Sequence, residues 1–312
     1  MINATQTMRT ETAAAPAVGV APPGYRLPAD TRLGEVHLQV ADLDRSLDCY
    51  QHVLGLRLLE RSAGDAAGAT LVAHGDDTPL VRLHERRGVA AVPHQGLLGL
   101  YHFAILLPDR AALGRFVAHL TEIGARAGAS DHLVSEALYL RDPDGLGIEV
   151  YVDRPRSTWR STDRQIRMAT EPLDLPAVVA AAGGERWAGM PAGTRMGHVH
   201  LHVGDIEQAS RFYHAALGLD RMVWSYPGAL FLAAGGYHHH LGLNTWAGPA
   251  ARPAGDGDAR LLEWRIILPS SDATAARASL EEAGYGATTT DEGWRTLDPW
   301  GTVLHVVSAR AA

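Results

Sequence analysis

The sequence predicts an α+β protein made of four βαβββ units, and two internal repeats and one periodicity carry that prediction. The string Val40-Ala-Asp42-Leu … Tyr50 … Leu54-Gly55-Leu56 returns 163 residues later as Val203-Gly-Asp205-Ile … Tyr213 … Leu217-Gly218-Leu219. Likewise Leu106-Leu-Pro108 … Asp142-Pro143 … Gly145 returns as Ile267-Leu-Pro269 … Asp298-Pro299 … Gly301. A period this long marks duplicated domains rather than a solenoid, in keeping with 312 residues. The periodicity is strand-like. Glu35-Val-His-Leu-Gln-Val40 alternates polar and apolar residues, so one face packs on a core and the other is free for polar work.

The elements follow in order. Residues 1–31, rich in Ala, Pro and Thr, lack a basic start followed by an apolar run, so they read as a disordered tail rather than a signal peptide. A cytoplasmic location follows by default. An N-terminal domain spans 32–153, with units at about 33–85 and 99–153. In its first unit Leu47, Tyr50 and Leu54 share a helical face after an acidic start at Asp42 and Asp44, and Gly55 ends the helix. An arginine-rich connector spans 154–195, with a short helix near Leu175–Ala182. A C-terminal domain spans 196–312, with units at about 196–247 and 260–308.

Composition excludes several classes. The 28 basic residues are all arginine and face 35 acids, for a net charge of −7. That argues against a nucleic-acid binder or an anionic-membrane binder. A single cysteine, Cys49, excludes an intramolecular disulfide framework. No apolar run approaches the roughly 18 residues of a membrane span. The 16 histidines are the unusual feature, and they cluster.

His198, His200 and His202 share one face of the strand Met196-Gly-His-Val-His-Leu-His-Val203, with Val199, Leu201 and Val203 on the other. His102 sits in the opening strand of the second unit and Glu149 in its closing strand, between Ile148 and Val150. A carboxylate in such apolar company is costly unless it is paired or metal-bound. His102, His198 and Glu149 supply the two imidazoles and one carboxylate of a facial triad, which leaves metal positions open for substrate and O₂.

The paired and duplicated βαβββ unit resembles the vicinal-oxygen-chelate superfamily over about residues 32–308. The resemblance implies two paired half-open barrels whose concave faces hold a divalent metal. Gly197-His198-Val199, His102-Phe103, Glu149, the pair His238-His239 and Tyr139, ten residues before the Glu, resemble the extradiol ring-cleaving dioxygenases, in particular catechol 2,3-dioxygenases of the CatE type. That implies oxidative cleavage of a catechol beside its two hydroxyls, with Fe(II), or alternatively Mn(II), as cofactor. The partners implied are a small aromatic diol and O₂, in a homo-oligomer. By motif position His239 is the acid/base, Tyr139 bonds a substrate oxygen, and His132 stabilises oxygen-derived charge. His200, His240, Asn244, Trp246 and Tyr151 would line the pocket. Packing alternatives stand beside these roles: a structural histidine at His239, a core tyrosine at Tyr139, a solvated loop histidine at His132.

One departure from the family stands out: the ligand order is permuted, with His102, Tyr139 and Glu149 ahead of His198 and His239. Pairing of unit two with unit three restores the set, and this is the preferred reading. Tandem pairing would instead offer Glu35, His102 and Glu149 with His37 nearby, and His198, Glu263 and His305. Two other functions fit the fold. One is a glyoxalase-like lyase or isomerase needing an extra carboxylate. The other is a binding or resistance protein without turnover.

Overall fold

The computed structural model describes residues 18–64 and 66–309. Unit one comprises β1 (Arg32–Val40), α1 (Leu43–Asp48), β2 (Arg57–Ser62), β3 (Gly68–Val72) and β4 (Pro79–Glu85). Unit two comprises β5 (Leu97–Leu106), α2 (Arg110–Glu122), β6 (Gly128–Asp131), β7 (Ser135–Arg141) and β8 (Gly147–Asp153). The connector holds a small hairpin, β9 (Ser161–Thr162) and β10 (Gln165–Ile166), and α3 (Leu175–Ala180). Unit three comprises β11 (Arg195–His202), α4 (Ile206–Ser210), β12 (Asp220–Val223), β13 (Ala229–Ala233) and β14 (Leu241–Asn244). A two-residue β15 (Arg252–Pro253) leads to unit four, with β16 (Arg260–Pro269), α5 (Ser270–Glu282), β17 (Thr288–Thr290), β18 (Gly293–Leu297) and β19 (Val303–Ala309).

Helix starts are set by the same local chemistry four times. Asp42, Asp109, Asp174 and Asp205 each accept the backbone N–H three residues ahead, satisfying a donor the first turn leaves orphaned. α1 and α4 both continue into a π-helical turn, Cys49–Val53 and Arg211–Ala216. Gly55 then turns the chain at φ 78° and Gly218 at φ 103°, conformations that favour glycine.

The strands form two sheets. One runs β17-β18-β19-β16-β1-β4-β3-β2 and the other β12-β13-β14-β11-β5-β8-β7-β6. The central contacts are antiparallel, β5 with β11 and β1 with β16. Unit two therefore pairs with unit three and unit one with unit four, so each sheet draws on both halves of the chain. A different contact joins consecutive units. Tyr50 donates to Asp142 Oδ2 at 3.3 Å, linking the helix of unit one to the β7–β8 turn of unit two. Tyr213 donates to Asp298 Oδ2 at 3.0 Å in the corresponding place of the second half. The repeated Tyr and Asp-Pro motifs are the two ends of this bond. Leu38, Phe103, Val199 and Trp264 belong to one apolar core running between the sheets.

The expected disordered tail needs correction. Residues 1–17 lie outside the described residues, but 18–31 are packed. Val20 pairs with Arg221, Leu27 is buried, and Arg26 holds Asp220 with bonds of 2.8 and 2.7 Å. The physical reason is that Tyr25 and Leu27 find apolar surface on unit three that composition alone does not reveal. The connector helix ends at Ala180, before the expected Ala182, and Gly183 and Gly184 follow with positive φ.

α2 meets α3 through Gly114, where an added Cβ would lie 2.3 Å from the Val178 carbonyl oxygen. Alanine improves helix propensity by about 1 kcal/mol, but here the overlap outweighs it. Gly114→Ala is expected to destabilise the fold by roughly 1–3 kcal/mol, read as a lower urea midpoint. A raised midpoint would show that the two helices separate freely.

Candidate metal centre and active site

Strand alternation delivers the three donors. On β5, Phe103 and Ile105 enter the core, so His102 faces the concave side. On β8 Ile148 and Val150 do the same for Glu149, and on β11 Val199 and Leu201 do so for His198. All three donors are buried. His102 Nε2 and His198 Nε2 each lie 3.0 Å from Glu149 Oε2, and 3.3 Å from each other. These three residues form a group able to hold one ion. Ligands at about 2.1 Å from a metal in adjacent octahedral positions lie about 3 Å apart, so the observed triangle fits one face of an octahedron. Burial favours a neutral Glu149, but His198 and His102 outweigh it and hold the carboxyl well below the usual range. Burial lowers His102 despite Glu149, which keeps its imidazole a neutral ligand.

Register defines what stands opposite Glu149. Phe103 pairs with Ile148 on β8, and Val199 pairs with Leu241 on β14. The residue following Ile148 is Glu149, and the one following Leu241 is Gly242. A fourth protein ligand is therefore replaced by glycine, and a Cβ there would meet the His200 ring at 2.7 Å. The donor set stays at three, with a side left open.

Polar groups ring that opening. His132 Nδ1 lies 2.6 Å from the Ala169 carbonyl, which can only accept, so this nitrogen carries the proton. His132 Nε2 therefore accepts from Tyr139 OH at 2.6 Å. Burial pushes the Tyr139 hydroxyl well up, and Glu149 adds to the effect. The His239 ring packs 4.1 Å from that of His198. Burial, reinforced by the neighbouring imidazoles, drives its basicity well down. The connector also contributes, since Trp159, Ile166 and Met168 pack with Phe231, Tyr237 and Val134 over the concave face.

Three expected pocket residues lie elsewhere. Asn244 is fully buried and acts as a clamp: its Nδ2 donates to His200 Nε2 at 2.9 Å, and its Oδ1 accepts from His202 Nδ1 at 2.6 Å. Tyr151 is also fully buried, packed behind His198 with its hydroxyl 2.7 Å from that of Tyr237. His240 faces a cleft between the two sheets, its Nδ1 accepting from the Ala234 N–H, and burial pushes it down to about 3. His200 and Trp246 remain at the mouth, 5.7 Å apart, with Tyr101 beside both. Sequence reasoning missed Tyr101, Tyr237 and Asp153. The available signal for Asp153 was period-two spacing from Glu149 through Tyr151.

The second sheet carries a matching cup with different chemistry. Val36 pairs with Val81 and Trp264 with Leu304. Glu35 and Glu263 thus stand where His198 and His102 stand in the first cup, and His305 where Glu149 does. Arg265 lies between the carboxylates, 3.0 Å from Glu35 and 2.8 Å from Glu263. The tandem-pairing sets are thereby corrected: Glu35, Glu263 and His305 belong to this sheet and do not meet His102, Glu149 or His198.

Comparison with known proteins agrees with this architecture. The sequence pattern of the Glyoxalase/Bleomycin resistance protein/Dioxygenase superfamily matches residues 32–150 and 195–302, and the chain belongs to that superfamily. It is 43% identical over 274 residues to the catechol-2,3-dioxygenase of Bacillus subtilis (strain 168), covering 86% of this chain and 94% of that one. Among solved structures, a candidate dioxygenase from Bacillus subtilis subsp. subtilis str. 168 superposes with a TM-score of 0.62 at 15% identity, over 92% of this chain and 87% of that one. Glyoxalase I from Zea mays superposes with a TM-score of 0.53 at 20% identity, over 89% and 92%. At these identities the structural likeness is one of fold.

The second cup makes stability depend on acid. Burial raises the carboxyls of Glu35 and Glu263, but their histidine and arginine partners outweigh it and hold each at about 2. Both titrate lower than in an unfolded chain, so their contribution is present above about pH 4.5 and is lost as pH falls toward 2. Arg265→Met removes the central cation. It is expected to cost about 3 kcal/mol at pH 7, the lower end for a broken buried pair because Arg82 and Arg295 still face the carboxylates. It should also flatten the acid limb of stability, as followed by urea unfolding between pH 2 and 7.

Proposed function

We propose that this chain, as a member of the superfamily it matches, is an Fe(II)-dependent extradiol dioxygenase that cleaves catechol or a substituted catechol with O₂. The observation that carries the reading is the buried three-donor face of His102, Glu149 and His198, with Gly242 in place of a fourth ligand. A glyoxalase-like lyase calls for an extra carboxylate there, and Gly242 supplies none. The chemistry of the donor set suits Fe(II), with Mn(II) the alternative. The relative's name, catechol-2,3-dioxygenase, supports the substrate class.

A metal held by His102, Glu149 and His198 would supply Lewis acidity, lowering the pKa of the substrate hydroxyls, and an open side for small ligands. The remaining work falls to the chain. His239, held neutral by burial, takes a hydroxyl proton and later returns it. Tyr139 directs its own proton to His132 Nε2, so its oxygen presents lone pairs and accepts a bond from substrate. His132, fixed by Ala169, receives that proton as Tyr139 takes one from the substrate hydroxyl, so Tyr139 stays neutral and the positive charge on His132 faces the oxygen-derived charge. Tyr101, Trp246 and Phe231 form an aromatic wall, and Trp159, Ile166 and Met168 keep water from the concave face. His200, oriented by Asn244, lines the same side.

A cytoplasmic location and a homo-oligomeric assembly belong to the same proposal. The single Cys49, a free thiol, suits a reducing compartment. Among the described residues no helix is long and apolar enough to cross a membrane.

The test is O₂ uptake by the Fe(II)-loaded protein with catechol, followed together with the yellow ring-fission product. Matched uptake and colour are expected. His102→Ala and Glu149→Ala should each lose both metal content and turnover, and normal activity in either would overturn the assignment. His239→Gln should keep its iron while kcat falls by about 10²–10⁴. Silence of the iron-loaded protein across a panel of substituted catechols would reject the dioxygenase reading.

A further inference from the structure

We infer that Asp153 and His238 are positioning residues that place the proton of His239 on Nδ1 and so leave its Nε2 free to act as a base. The inference rests on the proposed role of His239, but the proton positions are a separate observable.

The geometry is a chain of three side chains. His238 Nε2 lies 2.9 Å from Asp153 Oδ1, and His238 Nδ1 lies 2.7 Å from His239 Nδ1. A carboxylate only accepts, so His238 carries its proton on Nε2. In the neutral ring Nδ1 is then a lone pair. Two lone pairs do not face each other at 2.7 Å, so the contact to His239 requires Nδ1–H on His239. The tautomer of one histidine thus sets that of the next. His239 Nε2 has no protein partner among the described residues. Nor is it among the sealed unpartnered atoms, so it borders open space.

Other contacts hold the first member in place. Tyr237 OH donates to the same Asp153 oxygen at 3.1 Å, and Tyr151 OH lies 2.7 Å from Tyr237 OH. Asp153 itself lines a cleft of about 680 Å³ between the sheets, together with Arg156 and Arg195. One Asp153 oxygen thus serves both Tyr237 OH and His238 Nε2, and His238 is wholly buried between Asp153 and His239. Tests of a triad of this logic elsewhere show that replacing the orienting aspartate by asparagine keeps geometry but reverses the tautomer, with a large loss in kcat.

The experiment is long-range ¹H–¹⁵N correlation of the histidine rings in the full chain loaded with Zn(II), a diamagnetic probe. His239 signals are identified by their loss in His239→Gln. The expected result is Nδ1–H on His239 and Nε2–H on His238. In Asp153→Asn the carboxamide donates to His238 Nε2, so both rings should switch, and His239 should carry Nε2–H. The iron-loaded Asp153→Asn protein should then lose kcat by about 10²–10⁴, with KM and iron content within about twofold. His238→Gln retains one donor for Asp153 and one acceptor for His239, and should keep Nδ1–H on His239. His238→Leu, of similar bulk, should lose that preference and kcat with it. Nε2–H on His239 in the unaltered protein, or an unchanged His239 tautomer in Asp153→Asn, would overturn the inference. Expected tautomers in a protein that cleaves no catechol would overturn the proposed function and leave the positioning intact.

Discussion

The antiparallel contact between β5 and β11 places His102 and His198 within 3.3 Å although 96 residues separate them, and the rest of the site is arranged around that contact. Each strand turns alternate residues toward the core. Phe103 and Val199, paired across the seam, are fully buried. That burial pins the register, since a slip of one residue would turn every histidine inward. β8 adds Glu149 from a parallel neighbour of β5, and β14 adds Gly242 from a parallel neighbour of β11. Asymmetry between these two positions turns a symmetric cup into a centre with an open side.

The two cups show how one backbone frame accommodates two charge solutions. In the first, two imidazoles and a carboxylate converge on a point that a divalent cation fits. In the second, two carboxylates and an imidazole surround Arg265, whose guanidinium supplies the positive charge covalently. Each arrangement answers the same requirement, because a buried carboxylate needs a partner. The first cup remains available for small-molecule chemistry, while the second is filled by its own side chains.

Two kinds of contact tie the halves together, and they connect different partners. Sheets join unit two to unit three and unit one to unit four. The Tyr50–Asp142 and Tyr213–Asp298 bonds join neighbours in the chain. The result is one core rather than two separable ones. The connector, with Trp159 and Ile166 over the concave face, closes the site from a segment that belongs to neither duplicated half. The cleft between the sheets reaches Asp153 and Tyr237, the residues that hold the outer end of the His238–His239 chain.

Much of this was legible in the residues. The repeats mark four equivalent units, aspartate caps mark helix starts, and period-two alternation tells which histidines share a face. The three metal donors and the His132, Tyr139 and His239 positions are recognisable because their motifs are short and local. Partnership between strands is not local. Whether unit two meets unit one or unit three is settled by the total apolar surface buried when the strand contacts of both sheets form together. The meeting of His102 with His198, and the gathering of Glu35, Glu263 and His305 around Arg265, are therefore visible only in the folded chain. The same holds for single side chains. Asn244, Tyr151 and His240 lie in motifs that fit a pocket lining, but their neighbours come from elsewhere in the chain and turn them into a clamp, a backing wall and a cleft residue. Residues 18–31 look like a tail by composition and become ordered on a surface that exists only once unit three has folded. Which chemical groups are available and which way each strand faces follow from bonds a few residues long, and so are written in local stretches of residues. Which groups meet depends on burial summed over the whole chain, and so emerges only on folding.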